Sequence, residues 1–368
     1  MHVITDLDVG GAEMMLTRLT ERATAAGHPP TVVSLMEPGL LGQRIRDAGA
    51  TVHSLGMPRR RPDPRGITRL RELVEHERPD VLHCWMYHAM LVGTLAARGP
   101  RRPALVWNVR CSDMTRVPML TGLTVRLLAR LSARPDVLVT NAETGREDHV
   151  RAGFRTEGWR VIPNGVDLGV YRPDPAARAE WRARLAQEEG QPLIGIVARV
   201  EEMKDHDGVL HALALLRHPT ARLLAVGRGA EGLPDRAWRL CLGERIDGRL
   251  CAIEETADVP RLLPALDLIT LGSAFGEGFP NVLAEGLATG LPCVATDVGD
   301  SRLVVGDCGR IVPPRRPDLL AGAWDELLAL PAADFQALSR RARERSRCFS
   351  LDRAVAAYDA LHAELASG

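Results

Sequence analysis

The chain has 368 residues and a mass of 40.1 kDa, a length that predicts two domains at ~100–200 residues each. Hydrophobic residues make up 45% and charged residues 26%, and 47 basic residues balance 47 acidic ones. That zero net charge argues against a global nucleic-acid binder. No run approaches the ~18 apolar residues of a membrane span. The start, Met1–Asp6, has neither a basic region nor a long apolar core, so no signal peptide is expected; it enters a strand almost at once, as if that strand were clipped. The seven cysteines are scattered and odd in number, and none forms a C-x-x-C pair. They fit neither a disulfide framework nor a structural zinc site, and they point to a reducing cytoplasm.

Short β-rich runs alternate with helical patterns along the first half. Strands are expected at 2–5, 31–35, 51–55, 81–84, 104–109, 137–140 and 160–162, and helices at 13–26, 66–76, 90–98, 120–133 and 143–152. Such alternation means βαβ units, a parallel sheet and helices on both faces. Pro163-Asn164-Gly165-Val166-Asp167 and the Pro173/Pro175 segment break the pattern and mark a linker. Strands then resume at 193–198, 222–226, 268–271, 293–296 and 310–312, with helices at 206–216, 259–263 and 281–289. Helical patterns at 317–330, 333–348 and 351–366 end the chain. The fold class is α/β, with two Rossmann-like doubly wound parallel-sheet domains. Their boundaries fall at 1–165 and 166–350, with a last helix over 351–368. Ligands bind at the carboxyl ends of strands in such sheets.

Charge is unevenly spread. Residues 1–165 hold 23 Arg against 17 Asp and Glu, a net of +6, and the remainder carries −6. The first half is therefore the candidate face for an anionic surface or acceptor, with Arg59-Arg60-Arg61 and Arg101-Arg102 in its loops. Lys204 is the only lysine among the 47 basic residues, which marks it as a position needing a compact, mobile ammonium.

Several loops at strand ends carry chemistry. Gly10-Gly11 follows the first strand, where glycines permit close backbone approach and a helix N-terminus favours an anion. Arg199 and Lys204 follow the strand at 193–198, a position suited to clamping a diphosphate. Gly276-Glu277-Gly278-Phe279-Pro280-Asn281-Val282 leads into a helix holding Glu285. Its amides face a phosphate at the positive end of the helix dipole, and the two carboxylates can accept from sugar and ribose hydroxyls. His83 and His88 follow the fourth strand, and Asn108-Val109-Arg110 ends the fifth. Neither half has G-x-G-x-x-G, which disfavours a nicotinamide dehydrogenase, and no metal-ligand spacing stands out.

Taken together, these motifs resemble those of the retaining, nucleotide-sugar-dependent glycosyltransferases of family 4. The resemblance rests on Gly10-Gly11-Ala12-Glu13, Asp80–His83, Tyr87-His88-Ala89, Ile162–Asp167, Arg199 through His206, the Glu277-x7-Glu285 element and Pro292–Thr296. It implies the GT-B fold: an acceptor-binding N-terminal domain, a nucleotide-sugar-binding C-terminal domain facing it across a cleft, and a last helix crossing back onto the N-terminal domain. By the same resemblance Arg199 and Lys204 contact the donor diphosphate. Glu277 holds the sugar, the backbone of Gly278, Phe279, Pro280, Asn281 and Val282 the phosphate, and Glu285 the ribose. Gly10, Gly11, His83, His88 and Asn164 complete the substrate-binding set.

No metal and no cofactor is implied beyond the donor, most simply a UDP-sugar with a GDP-sugar as alternative. The acceptor would be a glycan or polyprenyl-diphosphate-linked sugar, in surface polysaccharide, lipopolysaccharide or glycolipid assembly. The enzyme would be cytoplasmic, with peripheral contact at the inner membrane face. Alternatives are a GT-B sugar-nucleotide epimerase and a non-catalytic binding subunit. Two departures stand out. Arg110 occupies the position where many relatives have a histidine. Leu242–Arg245 reads as a strand end, which makes 246–256 an insertion beside the nucleotide base site.

Overall fold

The computed structural model describes residues 1–8, 10–58, 63–99, 102–110 and 119–367, with backbone alone at 119 and 120. Arg59, Arg60, Arg61 and Arg101 lie outside the described residues. The chain divides into two compact units, one of Met1–Gly165 with Asp352–Gly368 and one of Val166–Leu351.

The first unit holds a seven-stranded sheet: β1 His2–Ile4, β2 Thr31–Ser34, β3 Thr51–Ser54, β4 Val81–Trp85, β5 Ala104–Val109, β6 Val137–Thr140 and β7 Trp159–Val161. The strand order is β3-β2-β1-β4-β5-β6-β7 and every pairing is parallel. β4 is buried at all five positions, as expected of a central strand covered on both faces. Leu82, Trp107, Leu70 and Met90 fill the core, and the Trp107 indole donates to Thr94 Oγ1 at 2.9 Å, so its one polar atom is satisfied.

The second unit holds β8 Leu193–Val197, β9 Arg222–Val226, β10 Leu250–Ile253, β11 Leu268–Leu271, β12 Cys293–Thr296 and β13 Gly309–Val312, in the order β10-β9-β8-β11-β12-β13. All its pairings are parallel too. Trp324 anchors this core at zero exposure and donates to Thr270 Oγ1 at 3.2 Å. The chain leaves the first unit at Gly165 and re-enters it at Asp352. Val166 pairs there with the returning segment, through Val166 N–H to the Phe349 carbonyl at 2.9 Å and Leu351 N–H to the Val166 carbonyl at 2.8 Å.

The suspected insertion is corrected by β10. Residues 243–246 form a short helix instead of a strand, and 250–253 form a regular edge strand in register with β9. The segment is a sheet element displaced by a few residues. The sequence ground for a disabled base site disappears with it. Sequence reading also missed the helices Leu40–Asp47 and Pro175–Arg184, although Asp174 caps the latter through Ala177 N–H with proline at its start.

Candidate active site

In both units strand order reverses between the first and fourth strands, and the crevice at the carboxyl ends there is where such sheets bind ligands. In the second unit that point lies between β8 and β11. The loop after β8 carries Arg199 and Lys204, and the loop after β11 carries Glu277. Ala274 N–H donates to the Met203 carbonyl at 2.8 Å and fixes one loop against the other. Lys204 Nζ lies 2.5 Å from Glu277 Oε1, with side chains 18% and 8% exposed, and the Ser273 hydroxyl donates to the same oxygen. An ammonium has three donors, so this bond leaves others for a phosphate. Arg199 is exposed and, among the described residues, pairs with Glu201 at 3.2 Å, a contact that costs little to exchange.

Glycines set the backbone here for steric reasons. A Cβ on Gly299 (φ 60°) would sit 2.3 Å from the Glu277 carbonyl oxygen, and one on Gly227 (φ 141°) 2.3 Å from that of Ala198. Asp300 N–H adds a hydrogen bond to the Gly278 carbonyl at 3.0 Å. The loop bearing Glu277 is thereby held close against the segment that follows β12. The helix Asn281–Thr289 starts at Pro280 and directs its positive end toward this loop's end. Phe279 and Pro280 are buried, the Phe279 ring edge-on to Phe349 at 5.4 Å, so their contribution to a ligand is backbone only. Gly278, Asn281, Val282 and Glu285 are half-buried, with Glu285 just over one turn into the helix.

In the first unit the switch point lies between β1 and β4. Gly10 caps the helix Gly11–Ala25, and the Glu13 carboxylate folds over it; a Cβ there would meet Glu13 Oε2 at 2.2 Å. Burial raises the Glu13 carboxyl above its ordinary range, Asp6 and Asp8 act the same way, and Arg110 opposes them. His88 is exposed in the first turn of the helix Met86–Ala96, whose first residue has φ 68°. Arg110 donates to Asn108 at 2.9 Å, to Asn164 and to the Tyr358 hydroxyl at 2.6 Å, and stacks over Trp85 at 4.6 Å. His83 is placed differently from the expectation. It is 1% exposed with both ring nitrogens engaged, by Asn108 at 3.0 Å and His362 at 2.8 Å, which leaves none for a substrate.

Sequence reasoning missed Ser273, Tyr358 and His362. The spacing of Tyr358 and His362 on the last helix was the available signal, since residues four apart share one face.

These two doubly wound units with charged loops at their switch points match known proteins. Residues 9–170 match the model of Glycosyltransferase Family 4, and residues 191–329 match that of Glycosyl transferases group 1. The chain belongs to these family 4/group 1 glycosyltransferases and has the GT-B fold. A D-inositol 3-phosphate glycosyltransferase of Segniliparus rotundus is 28% identical over 71% of this chain, and the match spans 62% of that protein's length. The lipopolysaccharide core biosynthesis mannosyltransferase LpsB of Rhizobium meliloti is 26% identical, over 98% of this chain and 99% of its own length. Among solved structures, Anabaena Alr3699/HepE in complex with UDP superposes with a TM-score of 0.82 at 19% identity, over 99% of each chain. The same Anabaena protein has also been solved with UDP and glucose.

Proposed function

We propose that the chain moves a sugar from a UDP-linked donor onto a glycan or polyprenyl-diphosphate-linked acceptor, with retention of anomeric configuration and without a metal ion. The observation that carries the reading is the Lys204–Glu277 pair at the switch point of the second unit, beside a helix N-terminus. Arg199, Lys204 and the helix dipole supply the positive charge that a departing diphosphate needs. Glu277 Oε2 accepts from sugar hydroxyls while Oε1 stays on Lys204 and Ser273, and Glu285 accepts from the ribose. The acceptor hydroxyl attacks on the face the diphosphate leaves, and a phosphate oxygen takes its proton. Arg110 binds phosphate; a guanidinium has no basic lone pair to act as general base. Gly10, Gly11, His88 and Asn164 belong to the acceptor side. UDP in the Anabaena relative supports the choice of nucleotide.

The test is thermal stability with UDP, GDP and ADP, with and without EDTA, followed by NMR of the product anomer. A ligand of the native state raises the midpoint by mass action. UDP stabilisation that survives EDTA, and a product with the donor's anomeric configuration, are expected. Stabilisation by none of the nucleotides, or an inverted product, would overturn the reading.

A peripheral contact with an anionic membrane at the cytoplasmic face belongs to the same proposal. No helix among the described residues is long and apolar enough to cross a membrane. The helix Met119–Leu131 exposes Leu123 (54%) and Leu127 (42%) beside exposed Arg126 and Arg130, and its sequence has no acidic residue. An apolar stripe edged by arginines suits an anionic lipid surface. Vesicle flotation is expected to require anionic lipid and to weaken in Arg126→Ser/Arg130→Ser. Equal binding to neutral vesicles would rule the contact out.

A further inference from the structure

The Arg110 guanidinium is held by acceptors from three separate parts of the chain: Asn108 on β5, Asn164 after β7, and Tyr358 on the last helix. A guanidinium only donates, so the Asn108 carbonyl oxygen must face it and the Asn108 amide NH2 must face away. That NH2 donates to His83 Nε2 at 3.0 Å and to the Tyr358 hydroxyl at 3.2 Å. His83 therefore accepts at Nε2 and carries its proton on Nδ1. Nδ1 lies 2.8 Å from His362 Nε2, which must accept. The fixed charge of Arg110 thus sets the polarity of a hydrogen-bond chain that ends on the last helix. Two further polar ties of this helix, Arg22–Asp352 and Arg160–Glu364, are exposed ion pairs at 3.3 and 3.4 Å with little holding power.

We propose that Tyr358 is a positioning residue for Arg110, and that the His83–His362 hydrogen bond sets the helix register that delivers its hydroxyl. The proposal rests on the assignment of Arg110 to the reacting site. The residue that orients a group at the carboxyl edge of the first sheet then comes from the end of the chain, some 250 residues away in sequence. The groups facing the two imidazoles are His2 on β1, with ring centroids at 5.3 and 5.5 Å, the Met1 ammonium, Arg110 and Tyr358. Glu77 and Asp80 line the same cavity but do not act on either ring, so the pair works in its neutral form. Burial agrees, holding His83 well below its ordinary range and His362 at about 4.

The experiment measures UDP release from UDP-glucose at neutral pH, with initial rates over donor concentration. Tyr358→Phe removes one oxygen and is expected to lower kcat roughly tenfold or more, the scale of a lost hydrogen bond to a charged group, with donor KM unchanged. His362→Gln, whose amide oxygen can still accept from His83 Nδ1, is expected to keep the rate, and His362→Leu to lose it. Arg110→Ala/Tyr358→Phe is expected to be no slower than Arg110→Ala alone. Full rate in Tyr358→Phe, or effects that multiply in the double variant, would overturn the proposal. If Arg110→Ala kept full rate, the assignment of Arg110 itself would fall and this inference with it. A slow Arg110→Ala beside a normal Tyr358→Phe would remove the inference alone.

Discussion

Lys204→Ala is expected to remove the stabilisation by UDP and to lower turnover ~10²–10³-fold, the cost typical of deleting one preorganised donor that stabilises developing charge. Lys204 contributes in two ways. Its ammonium is set 2.5 Å from Glu277 Oε1 with little solvent around it, so the charge acts at low dielectric. It also compensates a carboxylate that is 8% exposed and otherwise bonded to Ser273. Breaking a fully buried pair from one side costs ~3–5 kcal/mol; the 18% exposure of Lys204 places this case at or below the lower end of that range. The ligand-free midpoint should therefore drop in Lys204→Ala and recover in part in Lys204→Ala/Glu277→Gln, where the orphaned charge is gone. Turnover should not recover in the double variant. Calorimetry with the rate assay separates these effects. If Lys204→Ala kept the UDP response, the diphosphate would have to sit elsewhere.

The cluster of Arg199, Lys204 and Glu277 was legible in sequence because its parts lie on loops next to strong strands. Arg199 and Lys204 follow β8, Glu277 follows β11, and the pairing of those strands brings the loops together. Lys204 stood out further as the only lysine. The surroundings of Arg110 were less legible. His83 reads as a ligand-facing histidine at the carboxyl end of the fourth strand, but it is the third of the five residues of β4 and its ring lies in the buried layer. Its true partners, Asn108 and His362, are 25 and 279 residues away. No local period encodes such a contact; it follows from where the last helix docks. β10 was missed for a different reason. Leu242-Gly243-Glu244-Arg245 and Leu250-Cys251-Ala252-Ile253 are both short apolar-led runs, and the choice between them is made by pairing with β9.

Acid is expected to open the first unit before the second. His149 and His362 in the first unit and His206 in the second are all held at about 4, in each case chiefly by burial. His2 and His83, both in the first unit, are likewise held well below the ordinary value of 6.5. Between pH 6.5 and 4 the unfolded chain binds protons at these rings and the native chain does not, so stability rises with pH. The contribution of the three rings held at about 4 is complete above pH 6.5, is lost progressively as pH falls toward 4, and levels off below that. A ring held at about 4 instead of 6.5 is worth on the order of 3 kcal/mol. His149 and His362 together are thus comparable with the lower end of the ~5–15 kcal/mol that holds a domain together. Glu13 works the other way, since its carboxyl sits above the ordinary range and adds stability as pH falls through it, but it is a single group against four rings. Hydrogen exchange at pH 5 is thus expected to show amides of 1–165 and 352–367 opening while those of 166–351 stay protected. A midpoint that is flat between pH 7 and 4.5, or earlier opening of 166–351, would show that the buried imidazoles do not control the acid limit. Release of the last helix in the same window would withdraw Tyr358 from Arg110. Activity is therefore expected to fall at a higher pH than the protection of 166–351.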